Sequence, residues 1–263
     1  MSKISICGVS KKFQRDGREI RAVASLDASI PTGEFVAIVG PSGCGKSTLL
    51  RMIAGLLPPT KGEIFVEDEL VVGPVKNCGI VFQRPILLQW RNTLNNILLQ
   101  IEMRGLNPAH YLQKSRELLE KTGLSDFEDS YPHELSGGMQ QRVAIARALV
   151  HDPPLLLMDE PFGALDALTR EQMRIDLEEL WMGKPTTVVF VTHSIDEAVL
   201  LADRVIVMTP RPAEIDRIVE IDMPRPRGFG SRESANFDTA VKEITEMFLS
   251  RGIFRKSASN TKQ

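Results

Sequence analysis

Residues 40–47 carry the types and spacing that phosphate chemistry needs. They read Gly-Pro-Ser-Gly-Cys-Gly-Lys-Ser, fit the pattern G-x-x-x-x-G-K-[ST], and follow an apolar run at 34–39. In the strand, loop and helix that this pattern predicts, successive N–H groups point at phosphate oxygens and the helix dipole adds positive potential. Lys46 would reach the β- and γ-phosphates, and the Ser47 hydroxyl would bind Mg²⁺. The alternative, a glycine-rich turn that happens to carry a lysine, is disfavoured by the strand and helix on either side.

Two carboxylates end a second apolar run. Residues 155–158 are Leu-Leu-Leu-Met, which is typical of a buried parallel strand, and Asp159 and Glu160 follow. Open α/β sheets bind ligands at the carboxyl ends of their strands. Asp159 is therefore expected to hold Mg²⁺ through its water shell, and Glu160 to act as general base on the attacking water. An acidic pair that only caps a helix or solvates a surface is the weaker interpretation.

A third segment indicates that two chains share each nucleotide. Ser136, Gly137 and Gly138 precede a helical pattern at 139–150, so the hydroxyl and the free amides form another anion site at a helix N-terminus. If the first loop surrounds three sides of a triphosphate, the second site is best explained as covering the γ-phosphate held by a second copy. The expected assembly is a head-to-tail dimer with two ATP. The alternative is that Ser136 only caps its helix.

Two further polar residues follow apolar strands. Gln83 comes after the run 79–82, and His193 comes after the β-branched run 186–192. Gln83 would touch Mg²⁺ or water, and the His193 ring would lie near Glu160 and the γ-phosphate. Either residue alone means little, and its position after a strand favours the nucleotide role.

Together these segments resemble the nucleotide-binding subunit of an ABC transporter, over about residues 4–210. The resemblance assigns 40–48 to the Walker A loop, Gln83 to the Q-loop, 135–140 to the signature, 155–159 to Walker B, and 164–166 to the D-loop. It implies that ATP and Mg²⁺ are the cofactors. The implied residues are Phe13 (against adenine), Gly40, Pro41, Ser42, Gly43, Cys44, Gly45, Lys46, Ser47, Thr48, Gln83, Ser136, Gly137, Gly138, Gln140 and Asp166 for the nucleotide; Ser47, Gln83 and Asp159 for the metal; and Glu160, His193 and Lys46 for catalysis.

The chain departs from the family pattern at two positions. Met139 stands where the commonest signature has Gln, which puts contacts of that side chain in doubt. Phe13 has a weaker quadrupole than Tyr or Trp and no hydroxyl, so base selectivity should be modest, with ATP preferred and GTP tolerated. Cys44 lies inside the phosphate loop, where a bulky thiol reagent is expected to block ATP binding and bound ATP to protect the thiol.

The resemblance and the pattern of elements predict an α/β fold: a P-loop NTPase core of the ABC type, with an antiparallel β layer and an inserted helical subdomain. Short strands broken by turns between 4 and 79 indicate the β layer, and apolar positions at helical spacing follow Gln83. We expect the core with its β layer at 1–83 and 152–225. The helical subdomain, ending in the signature helix, is expected at 84–151.

The remaining segment, 226–263, is predicted to be a C-terminal helical extension with a flexible tail. Phe237, Val241, Ile244 and Phe248 form one apolar helical stripe. The stripe would pack on its own domain or serve as a dimer-stabilising or regulatory tail. Residues 255–263 are predicted to be disordered.

Composition limits the class of protein further. A chain of 263 residues with 43% hydrophobic content suits one α/β domain with added pieces, and a net charge of −2 argues against a nucleic-acid binder. Three cysteines without metal-ligand spacing or a disulfide framework fit a reducing cytoplasm. No apolar run approaches the roughly 18 residues of a membrane span. We therefore expect a peripheral protein at the cytoplasmic face of the membrane.

Partners follow from the resemblance. The implied partners are a second copy of the chain, integral membrane permease subunits and, indirectly, a periplasmic or surface solute-binding protein; no nucleic acid is expected. The apolar segment 85–90 would receive a short permease helix, with Trp90 as the anchor. The alternative is that Leu87, Leu88 and Trp90 cover the subdomain core.

Two stretches, 85–91 and 208–212, resemble importer ATPases of the nitrate, sulfonate and taurine group, although Gln89 stands where members often have proline. Three other functions remain as alternatives: an exporter ATPase, a soluble ABC ATPase outside transport, and a regulator that binds nucleotide without cleaving it.

Overall fold

A six-stranded, mostly parallel sheet forms the centre of the structure, a computed structural model that describes residues 4–253. Its strands, in spatial order, are β10 (Ile215–Glu220), β9 (Arg204–Met208), β3 (Phe35–Val39), β8 (Thr187–Thr192), β7 (Leu155–Asp159) and β6 (Cys78–Val81). All neighbours pair in parallel except β10, which is antiparallel to β9. Every residue of β3, β7 and β8 is buried, as expected for strands covered on both faces.

An antiparallel sheet of four strands lies against this core. It contains β1 (Ile4–Arg15), β2 (Arg18–Ile30), β4 (Lys61–Val66) and β5 (Glu69–Leu70), in the order β2-β1-β4-β5. Ile4 and Leu26 of this sheet share one apolar core with Ile38 of β3 and with Leu49 of helix α1 (Lys46–Ile53). The predicted β layer is confirmed.

Helices follow β6, as the sequence predicts. They are α2 (Thr93–Met103), α3 (Leu112–Lys121) and α4 (Gly137–Leu149), with short 3-10 helices at Pro108–Tyr111, Ser125–Phe127 and Pro132–Glu134. Ile97, Leu119 and Val143, one from each α-helix, meet in a separate apolar core. The Gln141 side chain donates a hydrogen bond to the Phe82 carbonyl at 3.3 Å, which ties the signature helix to the chain just before Gln83.

Three more α-helices and one 3-10 helix complete the described residues: α5 (Ala167–Gly183), α6 (Ile195–Leu201), the 3-10 helix Phe229–Glu233 and α7 (Ala235–Ser250). Phe237, Ile244 and Phe248 of α7 are buried in the same core as Phe190 of β8. The C-terminal stripe therefore packs on its own domain, the first of the two alternatives. The predicted disorder of 255–263 concerns residues outside the described range.

Beyond β9 the chain adds one more strand at the edge of the sheet. Strand β10 lies antiparallel to β9 at the edge of the sheet. Three arginines of this region, Arg211, Arg225 and Arg227, have different partners. Arg225 lies 4.4 Å from the Trp181 ring centroid, while Arg227 is buried and donates to the carbonyls of Val199 and Ala202. Arg211 reaches the loop between β3 and α1. Across residues 4–253, no helix combines the length and the apolar character needed to cross a bilayer.

Candidate functional site

The loop between β3 and α1 curls around the Lys46 side chain. The Lys46 ammonium donates to the carbonyls of Gly40 at 2.9 Å and Pro41 at 3.2 Å, and the residue is only 4% exposed. Gly43 and Gly45 have φ angles of 71° and 134°, which side chains with a Cβ rarely adopt. A Cβ at Gly45 would also lie 3.1 Å from the Ala22 carbonyl oxygen. The glycines are therefore required by the shape of the loop.

Ser47 and Asp159 meet although 112 positions separate them. The Ser47 hydroxyl donates to Asp159 Oδ1 at 2.6 Å, and Asp159 is 5% exposed. A hydroxyl and a carboxylate oxygen side by side suit a hard cation such as Mg²⁺. The part of the chain that the structure describes holds no cluster of three His, Cys, Asp or Glu side chains fit for a metal. Mg²⁺ here would thus need phosphate and water oxygens to complete its octahedral shell.

The Glu160 carboxylate is the point where four segments converge. Its Oε1 lies 3.8 Å from Lys46 Nζ; its Oε2 accepts from Gln83 Nε2 at 3.3 Å and lies 3.4 Å from His193 Nδ1. Glu160 has a φ of 45°, an uncommon value for a residue other than glycine. Its N–H donates to the Val191 carbonyl at 2.9 Å, so strand β8 holds the backbone in this conformation.

A cavity of about 460 Å³ opens beside these residues. Its lining includes Phe13, Lys46, Thr48 and Glu160, and Phe13 is 37% exposed. The volume falls within the usual range for small-molecule sites. Another cavity of about 460 Å³ lies between α3 and α5, around Trp181, but none of the predicted site residues lines it. The convergence of charged groups therefore identifies the first cavity as the candidate site.

The signature residues lie elsewhere on the molecule. Ser136 is exposed and caps α4, since its Oγ accepts from the Met139 N–H at 3.2 Å. Gln140 directs its side-chain amide to the carbonyls of Pro132 at 2.8 Å and Leu135 at 3.2 Å. None of the signature residues lines the cavity, so the structure does not bring them to the phosphate loop of their own chain.

The two signature glycines differ in their surroundings. A Cβ at Gly138 would lie 2.6 Å from Thr169 Cγ2, so contact with α5 explains why this residue is glycine. A Cβ at Gly137 would meet nothing within 4 Å. Packing within the described chain gives no reason for glycine at 137.

Asp166 caps α5 from the predicted D-loop. Its Oδ1 accepts from the N–H groups of Leu168 and Thr169, both at 3.1 Å. A hydrogen bond with the Thr169 side chain is the largest of the effects that hold the pKa of Asp166 below its usual value. The carboxylate is therefore ionised and fixed at the surface.

Cys44 differs from the sequence-based expectation. The residue is 2% exposed, and burial raises the pKa of its thiol. A buried, protonated thiol reacts slowly with a bulky reagent whether or not nucleotide is present. Burial therefore argues against rapid labelling at Cys44, and its protection by ATP stays a prediction. Cys7 is the exposed cysteine among the described residues.

Comparison with known proteins decides the family. Residues 23–163 match the ABC transporter family. The chain belongs to the ABC transporter family. An aliphatic sulfonates import ATP-binding protein of Bacillus cereus is 42% identical over 97% of this chain and 99% of its own length. An uncharacterised ABC transporter ATP-binding protein of Methanocaldococcus jannaschii is 44% identical over 92% of this chain and 91% of its own length.

Solved structures support the same assignment. The dimeric structure of MJ0796, described as a bacterial ABC transporter cassette, is 33% identical, has a TM-score of 0.75, and covers 84% of this chain and 100% of its own. A post-hydrolysis state of that cassette with ADP and Pi matches with the same TM-score of 0.75. The predicted fold class is confirmed, and the chain is an ATP-binding ABC ATPase.

Some residues around the site of this ABC ATPase are not apparent from the sequence. Arg211 lines the cavity. Glu197, four positions after His193, is buried, accepts from the Thr192 hydroxyl, and lies 3.7 Å from Arg170 Nε; burial raises the pKa of its carboxyl group. No nucleotide motif includes these residues. Arg211 lies in the stretch 208–212 that resembles the importer group, and the only sequence signal for Glu197 is its proximity to His193.

Proposed function

We propose that this ABC ATPase is the energy-supplying subunit of an importer, in which two copies enclose two Mg-ATP and drive a separate membrane permease. The contacts of Glu160 carry the proposal. Lys46, Gln83 and His193 reach this one carboxylate from three separate segments, all within 4 Å. Such convergence suits the assembly of a hydrolytic centre around a γ-phosphate.

Each residue then has a defined role. Lys46 binds the β- and γ-phosphates within the loop 40–48, and the Phe13 ring lies against adenine. Ser47, Asp159 and Gln83 supply oxygen ligands to Mg²⁺ or to its water shell. Bound Mg²⁺ neutralises charge on the phosphates. Glu160 accepts a proton from the attacking water, and His193, next to Glu160, stabilises the γ-phosphate.

The signature completes the site from a second copy. Ser136 and Gly137 are exposed and lie away from their own phosphate loop, and the space beside Gly137 is open. A helix N-terminus with free N–H groups attracts an anion. A γ-phosphate bound by the partner protomer would fit this surface, and Asp166 would lie at the same interface. A dimer has been solved for the related cassette MJ0796.

Import of a small anion is the transport role that we propose. A relative that aligns over 97% of this chain is named an aliphatic sulfonates import protein. The expected solute is nitrate, a sulfonate or taurine, delivered by a solute-binding protein outside the membrane. The chain itself would lie at the cytoplasmic face, bound to the permease.

The segment 85–90 is the proposed permease contact. Ile86 and Trp90 are 61% and 74% exposed, whereas Leu87 is buried in the helical core. The buried Arg147 side chain donates to the carbonyls of Pro85 at 2.7 Å and Ile86 at 2.9 Å. The segment therefore presents two large apolar side chains on a fixed backbone, as a docking surface for a short helix requires.

Mixing two inactive variants tests the shared site. Lys46→Ala removes the phosphate contact of one protomer, and Gly137→Asp places a carboxylate where the partner's γ-phosphate would lie. Aspartate at 137 has space in its own chain, so the monomer should fold normally. In a mixed head-to-tail dimer both defects fall in one site and the other site is intact. We expect each pure variant to be inactive and the mixture to recover ATPase activity.

Three controls make the result decisive. Circular dichroism must show native folding of both variants, and Lys46→Ala must lose ATP affinity by itself. Asp222→Asn, an exposed change that no predicted role involves, serves as the neutral substitution. No recovery in the mixture, with both variants folded and dimerisation confirmed, would contradict the shared site. Full ATPase activity of pure Gly137→Asp would contradict it as well.

A further inference from the structure

Arg211 lies at the edge of the nucleotide cavity and forms hydrogen bonds with the phosphate loop. Its Nε donates to the Gly43 carbonyl oxygen at 3.1 Å, and Nη2 donates to the same oxygen. The side chain lines the cavity together with Phe13 and Lys46. Among the ion pairs of residues 4–253, none joins Arg211 to a carboxylate. Its positive charge therefore lies beside the cavity without a neutralising partner.

The backbone around Arg211 is anchored, so the position of the guanidinium is defined. Ala213 exchanges hydrogen bonds with β2: its N–H donates to the Ala22 carbonyl at 3.1 Å, and its carbonyl accepts from Ala24 at 2.9 Å. Thr209 Oγ1 accepts from the Glu214 N–H at 2.9 Å. These hydrogen bonds hold the backbone of 209–214 against β2, beside the cavity that Arg211 lines.

Two donor groups of Arg211 have a protein partner, and the side chain lines the cavity. Guanidinium has five N–H donors in a rigid fork, and two of its nitrogens share the Gly43 oxygen. The donors that remain suit phosphate or ribose oxygens. A lysine would supply the charge but not the fork.

We propose that Arg211 is a nucleotide-affinity residue: it fixes the Gly43 carbonyl and places a positive charge against the nucleoside phosphates. This inference rests on the proposed nucleotide site. The arginine comes from the segment after β9, outside the phosphate loop and the other nucleotide motifs. Its contribution is to binding, and the chemistry at Glu160 does not involve it.

Titration with a fluorescent ATP analogue tests the proposal. We expect Arg211→Gln to raise the Kd about tenfold, the effect of one lost charge-assisted hydrogen bond. The dependence of Kd on salt should become weaker, because one cation near the phosphates is gone. Arg211→Lys should recover the salt dependence and part of the affinity.

Arg217→Gln is the matched control. Arg217 is an exposed arginine on β10 that pairs with Glu243 at 3.4 Å, away from the cavity. If the Kd values of Arg211→Gln and Arg217→Gln for the ATP analogue agree within twofold, the proposal fails. A weaker Kd with unchanged salt dependence also overturns it, because Arg211 would then act only on the backbone. Lys46→Ala should lose ATP affinity whether or not Arg211 contributes to binding. If Lys46→Ala keeps its affinity, the nucleotide site itself is wrong, which is a different failure from that of the Arg211 proposal.

Discussion

Replacing Glu160 by Gln should stop hydrolysis while leaving ATP binding and the fold in place. The two side chains have the same number of heavy atoms, so the contacts to Lys46, Gln83 and His193 can be kept in similar geometry. The fold should be retained, because the substitution keeps the size and shape of the side chain. What disappears is the carboxylate that would accept the proton of the attacking water.

The expected loss of turnover in Glu160→Gln follows from the role of Glu160 as general base. General-base catalysis contributes about 10²–10⁴ in rate, equivalent to about 3–5 kcal/mol of barrier. If hydrolysis is the step that opens the dimer, the lifetime of the closed state should lengthen by the same factor. Lys46 keeps its hydrogen bonds to Gly40 and Pro41, so the affinity for ATP should be retained.

Two assays measure turnover and dimer formation. Phosphate release gives turnover, and light scattering during gel filtration with saturating Mg-ATP gives the fraction of dimer. Glu179→Gln, an exposed position on α5, carries the same change in charge and should behave like the unsubstituted chain. Turnover of Glu160→Gln within about tenfold of normal would remove Glu160 from the base role. A variant that stays monomeric with Mg-ATP, both in solution and in the membrane complex, would refute the shared nucleotide site.

Two other predictions concern the helical region. Trp90→Ala should abolish solute-stimulated ATPase activity in the assembled transporter while basal activity persists. Phe229→Ala, at a 67% exposed position, should keep the stimulation. Stimulation retained in Trp90→Ala would contradict the docking surface. His151 accepts a hydrogen bond from Arg104 at 2.8 Å, and burial lowers its pKa from 6.5 to about 4. The unfolded chain therefore takes up this proton first, and stability falls as pH drops from 6.5 towards about 4. In His151→Gln the free energy of unfolding should fall by roughly 1–2 kcal/mol less over this pH range, allowing for solvent screening. Urea midpoints at each pH measure this, and an identical decline in both proteins would contradict the prediction.

Local patterns made several elements predictable. The strand before the phosphate loop and the strand before Asp159 are runs of apolar residues buried on both faces, so their sequence pattern is unambiguous. The stripe of α7 was also apparent from helical spacing, and Phe237, Ile244 and Phe248 are buried as it requires. Such patterns report backbone conformation and burial, both of which depend mainly on nearby residues.

Other features depended on where distant elements pack. The sequence left open whether Leu87, Leu88 and Trp90 cover the core, and the structure divides them: Leu87 is buried, and Trp90 is exposed. The thiol of Cys44 was expected to be accessible, and packing around the phosphate loop buries it. Neighbours in the chain do not determine these outcomes.

The sequence by itself determined the chemistry: glycines that permit the phosphate loop, a lysine and serine at its end, and two carboxylates after a buried strand. Only the tertiary structure decided which groups meet. It placed Ser47 against Asp159 across 112 positions, brought Arg211 to Gly43, and kept the signature away from its own cavity. The reason is physical: side-chain type and local spacing set what a segment can bind, whereas contacts between segments follow from how sheets and helices pack.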